Sequence, residues 1–302
     1  MLQATTTTSR TAHALAAAPH LSPVGRPSPR VRPLTDGSEA EVLAFLSKRP
    51  VHTVNLSGFI RDNGLVSPLN RGAFYAYRNE QGQLEGVALI GHVTLFEALT
   101  PRAVAAFARL ARRCERKHIL LGEQEKIEQF WRYYTVGGQP ARLACRELLV
   151  EWRGRAQACE EVSGLRLATP DDLELVMPVQ AQLAFDESQI NPLEKDPVGF
   201  RERCARRIAR GRTWVWVEEG RLIFKADIIN ETPDVTYLEG VWVNPQERGR
   251  GLGLRCMSQL SRTLLRRTKS LILFINEDNQ TALSFYRKSG YETRGCYDTI
   301  FF

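Results

Sequence analysis

The stretch Val241-Trp-Val-Asn-Pro-Gln-Glu-Arg-Gly-Arg-Gly-Leu-Gly253 constrains this 302-residue chain more than any other. It opens with β-branched and aromatic residues, which favour a strand. Asn244-Pro245 ends that strand, because proline brings no ladder donor and restricts the residue before it. Three glycines follow, at 249, 251 and 253, and then Leu254, Met257, Leu260, Leu264 and Leu265 recur at helical spacing. A glycine-rich turn between a strand and a helix lets main-chain N–H groups approach an anion, so the turn reads as a phosphate cradle. A Walker loop would need Lys-Ser or Lys-Thr after the glycines, and a dinucleotide fingerprint would need its third glycine at 254, where leucine stands. The turn could also hold no ligand at all. If it does hold a phosphate, the N–H groups of Gly249, Gly251, Leu252 and Gly253 would take it, supported by the charges of Arg248 and Arg250.

A third pattern, Q/R-x-x-G-x-G/A, is matched by Arg248, Gly251 and Gly253. Downstream, Leu271-Ile-Leu-Phe-Ile275 reads as a buried strand. After it, Asn279, Ala282, Tyr286, Lys288, Gly290 and Tyr291 match N-x-x-A-x-x-x-Y-x-K-x-G-F/Y position by position. Two motifs in this order, with one helix and one strand between them, resemble the GNAT superfamily of acyl-CoA-dependent N-acyltransferases. The element order from 164 to 302 agrees with that resemblance: helix, helix, hairpin, strand, loop and helix, strand, helix, final strand. The fold class expected is α/β with a mixed sheet, and the GNAT fold in the C-terminal domain.

Residues 34–153 repeat much of that order, with one helix near Val42, Phe45 and Leu46, a hairpin, and Leu84–Phe96 as a long or bent strand. Between Phe96 and Val104 the sequence holds no glycine. The N-terminal domain is therefore read as a degenerate GNAT-like domain that binds no CoA, or else as an unrelated α/β domain. Residues 154–163 read as a linker. Residues 1–33 are rich in Thr, Ala, Ser, Pro and Arg and read as a disordered tail, with an organellar transit peptide as the alternative. That tail carries Arg10, Arg26, Arg30 and Arg32 without an acid; subtracting those four from the net charge of +7 leaves +3, read as scattered surface arginine. No nucleic-acid motif, membrane span or regular metal-ligand spacing is present in the sequence, and the six cysteines are too sparse for a disulfide scaffold. The expectations are no nucleic acid, no membrane, no metal, a cytoplasmic location, and a monomer or homodimer.

The resemblance implies acetyl-CoA, or another acyl-CoA, as co-substrate. It implies that the strand before the glycine turn and the strand after the helix splay apart, with pantetheine between them and backbone N–H groups near Val241 and Val243 holding its amides. Asn279 would fix the strand–helix junction and contact the cofactor arm, and Tyr286 would protonate the departing thiolate. Every histidine lies at or before 118, so the base that relieves the attacking amine of its proton is Glu239 or a water. Glu239 shares a strand face with Val241 and Val243. Asp186 and Glu187, read within a polar loop over 186–196, hold a cationic acceptor or are simply solvated. The acceptor is a small-molecule or peptide amine. An acyl-CoA-binding module without turnover is the alternative function.

Overall fold

The computed structural model describes residues 30–114, 118–136, 140–154 and 161–302. In chain order the first half runs β1 (Val31–Pro33), α1 (Glu39–Leu46), α2 (Pro50–Asn63), β2 (Gly72–Arg78), β3 (Leu84–Gly91), β4 (Val93–Ala98), α3 (Pro101–Ala111), β5 (Ile119–Glu123), α4 (Gln124–Tyr134) and β6 (Leu143–Trp152). The second half runs β7 (Leu165–Leu167), α5 (Leu173–Ser188), α6 (Pro192–Lys195), α7 (Pro197–Ala209), β8 (Thr213–Glu218), β9 (Arg221–Glu231), β10 (Val235–Val243), α8 (Leu252–Leu264), β11 (Ser270–Asn276), α9 (Gln280–Lys288) and β12 (Glu292–Phe301).

Local signals explain most of these boundaries. Thr100 caps α3 by accepting from Ala103 N–H at 3.3 Å, with Pro101 in the first turn. In the lead into α5, Thr169 N–H donates to Asp172 Oδ2 at 2.7 Å. Several details depart from the sequence reading. Val31–Pro33, placed in the disordered tail, instead pairs antiparallel with Tyr75–Tyr77; the rest of that tail, 1–29, lies outside the described residues. The stretch 84–96 is not one bent strand. It reverses at His92, so that Leu89 faces Leu95 across two antiparallel strands. α2 has no counterpart in the sequence reading. It buries Val51, Thr53, Val54, Leu56, Ser57, Gly58 and Ile60, leaving no one-sided apolar stripe to detect. Residues 155–160 of the expected linker are outside the described residues, but Val162 beyond them is buried and clipped to α8 by Gln259 Oε1 at 2.6 Å.

All the strands join one sheet in the order β1-β2-β3-β4-β5-β12-β6-β11-β10-β9-β8-β7. The two halves exchange their last strands. β6 pairs with β11 of the second half, β12 pairs with β5 of the first, and β6 and β12 pair with each other. Helices cover both faces. α1 and α2 pack with Phe74, Val87 and Leu95, while α3 and α4 bury Phe107 and Phe130 with Ala88 and Phe96 on the opposite face. In the second half α8 and α9 enclose Met257, Leu260 and Tyr286 with Leu238 and Leu273, and α5 and α7 pack on Val215 and Leu222. Among the described residues no helix is long and apolar enough to cross a membrane.

α2 also seats the first half on β9. A Cβ at Gly58 would stand 2.5 Å from Asn230 Cβ, and Asn230 Nδ2 donates to Asn55 Oδ1 at 2.7 Å. Gly58→Ala is expected to cost about 1–3 kcal/mol by overpacking and to lower the thermal midpoint. A variant melting with the wild type would mean that the helix does not sit this close.

Candidate active site

β10 starts parallel to β11, with Val235, Thr236 and Tyr237 opposite Ser270, Leu271 and Ile272, and the pairing stops there. Beyond Tyr237 the strands part. On its other edge β10 slips register against β9 between Glu239 and Trp242, a β-bulge centred on Gly240. Gly240 has φ +61°, and a Cβ there would meet Lys225 Nζ at 2.9 Å, so the position needs glycine on both counts. Lys225 is fully buried beneath the bulge and donates to Asp227 Oδ2 at 2.6 Å and Gln180 Oε1 at 2.7 Å, with Gly240 O at 3.4 Å. Burial lowers the Lys225 pKa from its ordinary value, while Asp227 opposes the fall. Asn244 N–H bonds Ile223 O on β9 at 2.9 Å. By the alternation of an extended strand, the N–H of Val243 faces the other way, into the gap.

The gap is a cleft of about 310 Å³ whose lining includes Glu147, Gln180, Glu239, Val241, Asn279 and Tyr286. The corresponding parting of β4 from β5, after Thr94 and Leu120, is closed. Arg49 and Lys126 bridge Glu97 and Glu123, His52 Nδ1 lies 2.8 Å from the Tyr297 hydroxyl, and only about 20 Å³ remains.

Beyond the end of β10, Gly249 and Gly251 take φ +78° and +75°, which glycine adopts at no steric cost, and Gly251 caps α8. Nothing lies within 4 Å of where their Cβ atoms would be. At Gly253 a Cβ would meet Val243 Cγ2 at 3.0 Å, so that glycine lets α8 close onto β10. The first helical bond runs from Arg255 N–H to Gly251 O at 3.2 Å; among the described residues none is made by the N–H groups of 248–254. Those donors stay available at the positive end of the helix. The two arginine side chains fold back instead of reaching over the turn. Arg248 Nε bonds Val243 O at 3.1 Å and Arg250 pairs with Glu247 at 2.5 Å.

Asn279 caps α9, its Oδ1 accepting from Ala282 N–H at 3.0 Å. One face of that helix carries Tyr286, 8% exposed, edge-on to Phe285 and Tyr291. Among the described residues nothing hydrogen-bonds its hydroxyl, and burial pushes its pKa above the ordinary phenol range. Tyr237 Oη donates to Glu239 Oε2 at 2.8 Å. Asp186 and Glu187 also line the cleft. They stand on the last turn of α5 and not in a loop, because the helix runs on to Ser188 before Gln189 turns left-handed; Gln182 Nε2 holds Asp186 Oδ1 at 2.8 Å.

The sequence reading missed Glu147. It lies on β6, in the first half, and the strand exchange carries it into the cleft of the second, opposite Asn276. Thr299 of β12 donates to its carboxylate. Burial raises the Glu147 pKa, the Thr299 bond opposes, and the charges of Glu239 and Asp298 add, bringing it up to about 7. Gln180 and Thr299 were also not foreseen. No local signal marks any of the three. Among the described residues no group of three or more His, Cys, Asp or Glu is placed to hold a metal ion.

Comparison with known proteins agrees with this geometry. Residues 181–291 match the model of the acetyltransferase (GNAT) family. Peptidyl-lysine N-acetyltransferase YiaC of Escherichia coli (strain K12) is 28% identical over 89 residues, 30% of this chain and 56% of that protein, so the match spans about half the relative's length. Three solved structures align along most of the chain. A Drosophila protein covers 90% of this chain and 98% of its own at 15% identity, with a TM-score of 0.67. A GNAT-family acetyltransferase from Colwellia psychrerythraea covers 90% and 99% at 11% identity and 0.56. The tandem GNAT protein of the clavulanic acid biosynthesis pathway covers 89% and 97% at 16% identity and 0.55. Residues 181–291 are therefore similar to the GNAT acetyltransferase family, and the fold along nearly the whole chain is similar to that of a tandem GNAT protein.

Proposed function

We propose that this protein moves the acetyl group of acetyl-CoA, or the acyl group of another acyl-CoA, onto a primary amine by direct attack. One observation carries the reading: β10 and β11 part into a cleft lined by Val241, Asn279 and Tyr286, and β10 runs on from it into the turn whose N–H groups at 248–254 stay unspent. The diphosphate would rest on the N–H groups of Gly249, Arg250, Gly251, Leu252 and Gly253, with Arg248 and Arg250 swinging over it. The N–H groups of Val241 and Val243 would hold the pantetheine arm and polarise the thioester carbonyl. Asn279, lining the cleft at the foot of α9, would contact that arm.

The thioester supplies the acyl carbon and a sulfur leaving group. The amine nitrogen forms the new C–N bond and the C–S bond breaks. The proton lost by nitrogen goes to the Glu239–Glu147 carboxylate pair, directly or through a water, and the sulfur takes a hydrogen bond or proton from Tyr286 Oη. The acceptor side of the cleft presents Glu147, Glu239, Asp186 and Glu187, which favours an amine that arrives as a cation. A peptide lysine is the first acceptor to try, given the described activity of the E. coli relative.

Titration calorimetry with acetyl-CoA, followed by thiol release against a panel of lysine peptides, N-terminal peptides, amino acids, polyamines and aminoglycosides, tests the assignment. Binding with thiol release for a lysine peptide is expected. Binding without release for every acceptor would mark an acyl-CoA-binding module, and no binding would remove the proposal altogether.

A further inference from the structure

A second cavity, of about 260 Å³, lies at the seam of the two halves, between α2, the β3–β4 turn and α7. Its wall carries Arg71, Arg203, Arg206, Arg207, Arg210 and Arg212. Carboxylates answer only part of that charge. Arg203 pairs with Asp196 at 2.9 Å and Arg207 with Asp227 at 2.8 Å, but Asp227 already carries Lys225. Arg212 grips Asp62 with both arms, leaving Arg210 3.6 Å from the same carboxylate. Among the described residues neither Arg71 nor Arg206 has a carboxylate partner. The Arg71 side chain donates to His92 Nδ1 at 3.2 Å.

The surroundings report a positive field that the nearby carboxylates relieve only in part. Burial first, then Arg71, His118, Arg203 and Lys195, hold the His92 pKa at about 3, so its ring is neutral in the working range. With Nδ1 accepting from Arg71, the ring proton sits on Nε2, a further donor. Arg71 too is lowered, by burial and then by Arg203, while the charge of Asp196 opposes the fall. Guanidinium forks match phosphate oxygens two at a time, and a concave wall of one sign concentrates counter-ions of the other.

We infer that the seam cavity binds a small phosphate-bearing anion, held by Arg71, Arg206 and Arg210 with His92, at a site separate from the glycine turn at 248–254. The volume suits a diphosphate-sized group rather than a polymer. α7, whose basic face has no part in the acyl-transfer chemistry, thereby gains a role.

The probe is inorganic pyrophosphate, titrated calorimetrically into the full-length protein with the glycine turn kept filled by saturating CoA. Expected is one-site binding that persists in Arg250→Gln. In the double variant Arg71→Asn/Arg206→Gln the affinity should fall on the order of 10-fold or more for each guanidinium removed. Asparagine tolerates the left-handed backbone of Arg71, at φ +51°. Neither side chain makes an ion pair, so the thermal midpoint of the double variant without ligand should match the wild type. If it does not, Arg210→Gln serves in its place. Absence of binding, binding that CoA abolishes, or equal affinity in the arginine variants would each overturn the inference.

Discussion

Phenylalanine at position 286 is expected to lower kcat by on the order of 10²-fold and to leave the acetyl-CoA dissociation constant nearly unchanged. The substitution removes one oxygen and keeps the ring, which Phe285 and Tyr291 hold edge-on at 5.0 and 5.2 Å. The buried hydroxyl has no hydrogen-bond partner among the described residues, so its loss should cost no stability. A phenol pushed above its usual range keeps its proton at every working pH. In the proposed mechanism it would act by donating a hydrogen bond to the sulfur as negative charge develops there, an interaction absent from the bound ground state. Such a group shows in kcat and not in binding. Steady-state kinetics paired with calorimetry read the two quantities separately. Turnover close to wild type in this variant would take Tyr286 out of the mechanism.

Glu147→Gln should produce the second large effect, with two signatures of opposite sign. The carboxyl, raised to about 7, is protonated below that pH and becomes a base above it. In the wild type kcat should therefore climb through about 7, separately from the rise caused by the acceptor, about 8 for an α-amine and about 10.4 for lysine. Glutamine cannot take a proton. The inflection near 7 should vanish, the amine-dependent rise should remain, and kcat should fall by on the order of 10²-fold. Stability should move the other way. A carboxyl whose folded pKa is raised contributes stability below its unfolded pKa and loses it as pH rises through the folded value, because the native state binds the extra proton. Above pH 7 the wild type holds a partly buried charge beside Glu239, and the variant does not, so its thermal midpoint there should be the higher of the two. A pH profile that keeps its inflection near 7 in the variant would take Glu147 out of the base's role.

The glycine turn and the Asn279–Tyr286 helix were legible because their signals are local: positive φ at 249 and 251, a side-chain cap at 279, and a helical period that brings Tyr286 to the buried face with Leu283. The element order of the second half was legible for the same reason. The partners of β6 and β12 were not. An extended segment advertises which of its faces is apolar but not which neighbour its edge will meet, and the exchange changes only the neighbour. Glu147 escaped notice for that reason alone, since nothing near it in the chain belongs to the cleft. Charge misled in a similar way. The arginines beyond the tail read as scattered, yet α7 and the turns around Arg71 and Arg212 gather six of them at one seam. Asp186 and Glu187 read as loop because the run is polar, but the solvent-facing end of a long helix is polar too.

The interleaved order of β5, β12, β6 and β11 also governs how the chain can be born. During synthesis β6 leaves the ribosome long before β11 exists to receive it, and the slot beside β5 waits for β12, which is made after every other strand described. Until β12 emerges, two strand edges stay unsatisfied, the situation in which nascent chains pair with the wrong neighbour. The Glu147–Glu239 carboxylate pair, one member from each half, is then among the last features to assemble, so a chain cut short before β11 has no cleft.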